Sequence, residues 1–159
     1  MALMSGDQTS ETVGVPEPAQ NYRGAFLARF RMLHAALGFV AAFAAANYLL
    51  ERDVLRLQLV VEELFTNTIM HGYGKECDEP IEIALRADPG MVTVQYEDAA
   101  GTYDPSRTLA ASREQVSGPL DQRPVGHLGV HLVAAIVDDM HYVRIGERNH
   151  LRIVMRVAS

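Results

Sequence analysis

Apolar residues recur at helical spacing in three stretches of this chain and at alternate positions in five others. Val54, Leu57, Val61, Leu64 and Phe65 fall on one sector of a helix predicted over residues 51 to 70. Glu51 and Asp53 stand near its positive N-terminus, and Gly72 and Gly74 follow its end as a C-cap. A preceding helix is predicted from about Met32 to Leu49, and a third from Leu128 to Val137. Ile81 to Arg86 and Met91 to Tyr96 alternate at period two, with Asp88, Pro89 and Gly90 as a hairpin turn between them. A strand is also read around Gly24 to Phe30. Two closing strands, Met140 to Ile145 and His150 to Val157, are joined by Gly146 to Asn149. Residues 105 to 125 show little apolar period, and an internal loop of that length is characteristically a lid or a disordered segment. These elements predict an α+β two-layer sandwich: a mixed, mainly antiparallel sheet of about five strands with three helices on one face.

Length and composition narrow the picture. The 159 residues suit one domain with a real core. Residues 1 to 20 are polar and lack an apolar core, so they read as a disordered tail rather than a signal peptide, leaving 21 to 159 as the folded domain. Residues 35 to 50 carry no charge, but they are too few and too rich in Ala for a bilayer span of roughly 20 apolar residues. No membrane association is expected. The net charge of -6 argues against direct nucleic-acid binding. Cys77 is the single cysteine, which rules out an intrachain disulfide and fits a reducing, cytoplasmic setting.

Candidate chemistry lies in three separated segments. Glu63 and Asn67 are four residues apart on the second helix and project side by side, with His71 one turn further. A carboxylate that can take a proton beside an amide oxygen that can ligate a hard cation suits phosphoryl chemistry. The same pair on an amphipathic helix is ordinarily a solvated face. Asp98 ends a strand and is followed by Ala99, Ala100 and Gly101, small residues that let the backbone approach a flat ligand. Gly126 and Gly129 flank His127 and Leu128 where a helix begins, and free N–H groups at such a start suit anionic oxygens.

Taken in order, these three segments resemble the GHKL (Bergerat-fold) ATPases, and among them the small anti-sigma factor serine/threonine kinases. The resemblance covers roughly residues 23 to 157. It implies ATP and magnesium as cofactors, with nucleotide between the helix layer and the loop. Glu63 matches the catalytic glutamate, and Asn67 the magnesium-ligating asparagine. Asp98 matches the aspartate that accepts the adenine amine, standing six residues before Asp104. Ala100 and Gly101 continue that first glycine box, while Gly126, His127, Leu128 and Gly129 make the second. His71 either packs at the helix end or contacts nucleotide, and Arg107, Arg113 or Arg123 could close over phosphates. Ala100 and His127 stand where the family commonly has glycine. The implied partners are an anti-sigma factor antagonist of the STAS type, a sigma factor, or both, with the kinase itself a homodimer. A degenerate, non-catalytic binding module and a detached histidine-kinase-type catalytic domain are the alternatives.

Overall fold

The computed structural model describes residues 22–102, 104 and 133–158. Alternating side chains build five strands: β1 Tyr22–Leu27, β2 Pro80–Asp88, β3 Met91–Asp98, β4 Asp139–Ile145 and β5 Arg148–Arg156. They form one sheet in the order β1-β2-β3-β5-β4. Every neighbouring pair is antiparallel. The expectation of a mixed sheet is therefore corrected: two hairpins, β2–β3 and β4–β5, sit side by side, and β1 also runs against β2. The hairpin turns are shorter than a loop, with Gly90 at φ 71° in one and Gly146 at φ 59° in the other. Both angles lie in the left-handed region that glycine enters at no steric cost.

Among the described residues the helix layer comprises α1 Leu33–Ala46, α2 Glu51–Asn67 and a helical turn at 133–136. The expected helix over Leu128 to Val137 otherwise falls on residues outside those described. Ile81, Ile83 and Leu85 of β2, Val92 and Val94 of β3, and Ile153 and Met155 of β5 share one sheet face. They pack with Val40, Phe43, Leu57, Val61 and Phe65 of the helices in one core. Each such side chain contributes roughly 1.5–3 kcal/mol when removed from water. Glu82, Arg86, Gln95 and Arg152 are exposed on the opposite face. The α+β sandwich expected from the pattern is the fold observed.

Element ends differ from the sequence reading for local reasons. Ala28 leaves β1 to donate its N–H to Glu79 at 2.9 Å, and a 3-10 turn, Phe30–Met32, leads into α1. α1 stops at Ala46 because the chain turns left-handed at Tyr48, φ 54°. The N–H groups of Tyr48 and Leu49 then return to the carbonyls of Ala45 and Ala44. Near the start of α2, Asp53 is 1% exposed rather than a solvated first-turn acid. It accepts Arg56 Nη1 at 2.8 Å and the Ala158 N–H at 3.0 Å. Arg56 donates further to the carbonyls of Arg156 and Ile136, tying the C-terminal strand and the 133–136 turn to α2. No helix among the described residues is long and apolar enough to cross a membrane.

Candidate functional site

Asp98 closes β3 and keeps the inward parity of Val92, Val94 and Tyr96, so its carboxylate enters the helix layer. It is 6% exposed. Oδ1 accepts the Asn149 amide at 2.8 Å and the Ala100 N–H at 2.9 Å, and Oδ2 accepts the Thr68 hydroxyl at 3.3 Å. The Tyr96 hydroxyl donates in turn to Thr68 Oγ1 at 2.9 Å. Burial pushes the Tyr96 phenol well above its ordinary range, so it stays a donor. No buried side-chain polar atom among the described residues lacks a partner.

The far end of α2 meets this carboxylate. The helix passes at Asn67 into a wider π-helical turn, Thr68–Tyr73, which Gly74 closes in the left-handed region at φ 72°. Widening the helix re-aims the residues that follow, and such turns recur at functional sites. Here Tyr73 Oη accepts the Ala99 N–H at 3.1 Å, and the Gly72 carbonyl accepts the Gly101 N–H at 3.4 Å. The turn after Asp98 is thus pinned to the end of α2. Asn67, Thr68, Asp98 and Asn149 share a cavity of about 30 Å³ between Leu64 and Leu151.

Glu63 lies one helical turn before Asn67, half-buried and outside that cavity's lining. Burial, and secondarily the neighbouring Glu62 carboxylate, pushes its carboxyl above the usual range. His71 is exposed within the π-helical turn, so it is not packed against the helix end. Gly126, His127, Leu128 and Gly129, with Arg107, Arg113 and Arg123, lie outside the described residues. Of the three segments, two come together: the end of α2 and the turn at Asp98.

Ala100 takes the glycine position without strain. Neither Ala100 nor Gly101 has a positive φ, so the turn needs no left-handed residue there. Ala100 is buried, and its methyl occupies room that Gly72 leaves open. A Cβ built on Gly72 would stand 2.7 Å from the Ala100 Cβ.

Thr68, Tyr73, Tyr96 and Asn149 are absent from the sequence-based candidates, as are Tyr142 and Arg144 of β4, which both donate to the Asn149 oxygen. Thr68 continues the buried stripe of Val61, Leu64 and Phe65. Asn149 precedes Leu151, Ile153 and Met155 at the same parity, but reading it as part of the turn hides that signal. β5 in fact begins at Arg148, and Asn149 stands directly across from Asp98.

The chain matches the histidine kinase-like ATPase domain family over residues 26–155. It belongs to that family, and its fold carries an ATP-binding domain of the GHKL type. No curated protein matches it. The donor set at Asp98 leaves room for one more donor: a carboxylate offers about four acceptor positions, and three are taken by protein groups.

Proposed function

We propose that this chain is an ATP-dependent serine/threonine protein kinase of the anti-sigma type, acting in the cytoplasm on an anti-sigma factor antagonist. The observation that carries the reading is the buried Asp98 carboxylate, one acceptor position open, beside a cavity it shares with Asn67. Membership in the ATPase family supports the nucleotide, and the position of Glu63 supports the catalyst. Asp98 would hold the adenine amine, and the Asn67 amide oxygen is the candidate magnesium ligand. Magnesium keeps most of its waters and takes few protein ligands, so one amide oxygen beside phosphate oxygens suffices.

ATP, when bound, supplies the phosphoryl group for an acceptor hydroxyl. Glu63 is the base that takes the proton of that hydroxyl, and a carboxyl raised by burial is the stronger acceptor for it. The implied acceptor is a serine or threonine on a STAS-type antagonist, the sigma factor being the competing partner. The uncharged part of α1, from residue 35 to Ala46, and β1 before it offer a surface for a homodimer.

The test is phosphate transfer from Mg-ATP to a serine-bearing antagonist by wild type and Glu63→Gln. Wild type is expected to form phosphoserine or phosphothreonine. Glu63→Gln should lose about 100-fold or more in rate while retaining ATP affinity. Transfer to histidine would instead identify a histidine-kinase-type catalytic domain. Failure to bind Mg-ATP at millimolar concentration would leave the non-catalytic module.

A further inference from the structure

We propose that Asn149 is a specificity-positioning residue, locked by Arg144 and Tyr142 so that it occupies Oδ1 of Asp98 and leaves Oδ2 as the acceptor for a purine. This rests on the nucleotide reading above and adds to it the residues that set the choice of base.

Asn149 is 6% exposed and directly opposite Asp98 in the β3–β5 register. Its oxygen accepts the Tyr142 hydroxyl at 2.7 Å and Arg144 Nη1 at 2.8 Å. An arginine can only donate, so the Asn149 atom facing Arg144 has to be the oxygen. The amide orientation, ambiguous for most asparagines, is therefore fixed by chemistry. With the oxygen turned to β4, the nitrogen faces Asp98 Oδ1 at 2.8 Å. It also reaches the carbonyls of Ala100 at 3.3 Å and Gly101 at 3.2 Å.

The consequence is a division of labour between the two carboxylate oxygens. Oδ1 is saturated by Asn149 and the Ala100 N–H, whereas Oδ2 carries only the long bond from Thr68. Oδ2 is the open acceptor. Arg144 also donates to the Ala100 carbonyl at 3.1 Å, so one guanidinium holds both the asparagine and the turn after Asp98. Tyr142 and Arg144 are the inward, half-buried residues of β4 at this end of the sheet. Both donate to the Asn149 oxygen and act on Asp98 through Asn149.

Asn149→Asp keeps the shape but exchanges the nitrogen donor for an acceptor or a shared proton. The shared-proton form would turn one carboxyl into a donor that a guanine carbonyl can accept. The experiment is calorimetric titration of ATP and GTP into the full chain, for wild type, Asp98→Asn, Asn149→Asp and Arg144→Met. Each protein is first checked for a cooperative melt. Wild type is expected to prefer ATP. In Asn149→Asp the ATP-to-GTP affinity ratio should fall about tenfold or more, the worth of one hydrogen bond to a charged group. Arg144→Met, which frees the amide without touching Asp98, should lower the ratio in the same direction by a smaller factor. If Asn149→Asp fails to melt cooperatively, the Arg144→Met ratio decides. Wild type binding ATP in an Asp98-dependent way, with both ratios unchanged, overturns the role of Asn149 alone. Wild type binding neither nucleotide overturns the nucleotide reading and this inference together.

Discussion

α2 carries a buried aspartate at one end and meets another at its far end, and the two are satisfied in opposite ways. Asp53, in the first turn, is met by a cation: Arg56 Nη1 lies 2.8 Å away, with Arg52 at 3.8 Å and the Ala158 N–H at 3.0 Å. Asp98, beyond the last turn, is met by neutral donors alone among the described contacts: a hydroxyl, a backbone N–H and an amide. The first arrangement neutralises the charge and closes the chain ends onto the helix. The second leaves the carboxylate an open acceptor position at a cavity. A carboxylate paired with arginine holds structure together, whereas one supported by neutral groups keeps capacity for a ligand donor.

The comparison breaks most sharply at Arg56. Arg56→Met leaves the buried Asp53 with only the more distant Arg52, at 3.8 Å, as a cation and removes the bonds to the Ile136 and Arg156 carbonyls. The expected cost is about 3 kcal/mol, read as a lower urea midpoint. ATP affinity should be unchanged, since no group at the Asp98 end is altered. A loss of nucleotide binding at full folding would show that the two ends are coupled after all.

At the other end the tight element is steric rather than ionic. Gly72→Ala sets its Cβ against Ala100 and is expected to destabilise by about 1–2 kcal/mol. Ala100→Gly in the same chain should restore much of that loss. A double-mutant cycle by denaturant titration reads the coupling directly. Additive effects would mean that the methyl of Ala100 is not what excludes a side chain at position 72.

The smallest expected effect is on acid stability. Burial acts to raise the Asp53 carboxyl, but the Ala158 N–H, the Arg56 guanidinium and the Arg52 charge outweigh it and hold it below the usual range. A folded-state value below the unfolded one means that the unfolded chain binds the extra proton. The contribution is therefore complete above about pH 4 and is lost as pH falls through the lower folded value. Melting temperatures between about pH 2 and 6 should fall more steeply for wild type than for Asp53→Asn. Parallel curves would remove Asp53 from the acid limb.

Two of the three candidate segments were legible in the sequence as placements on their elements. Asp98 followed from a period-two strand running into small residues, and the Glu63–Asn67 face followed from helical spacing. Asn149 escaped because glycine, acid and asparagine after Ile145 read as a long turn, whereas a two-residue turn brings Arg148 into register with Ile145. Arg144 escaped for a related reason. A half-buried arginine inside an apolar strand is recognisable only once its acceptors, the Asn149 oxygen and the Ala100 carbonyl, are placed. The Asp53 clamp likewise needs the last strand folded back on α2, across more than a hundred residues of sequence.

The sequence by itself determined the two-layer α+β fold, because apolar periods of two and 3.6 are local properties that side chains carry with them. Only the tertiary structure decided which aspartate is paired with arginine and which is surrounded by neutral donors. That distinction depends on the donors surrounding each carboxylate, and several of them come from strands far away in the chain. Hydrogen-bond partnership acts over about 3 Å of space and is indifferent to sequence distance, so no local pattern could have assigned it.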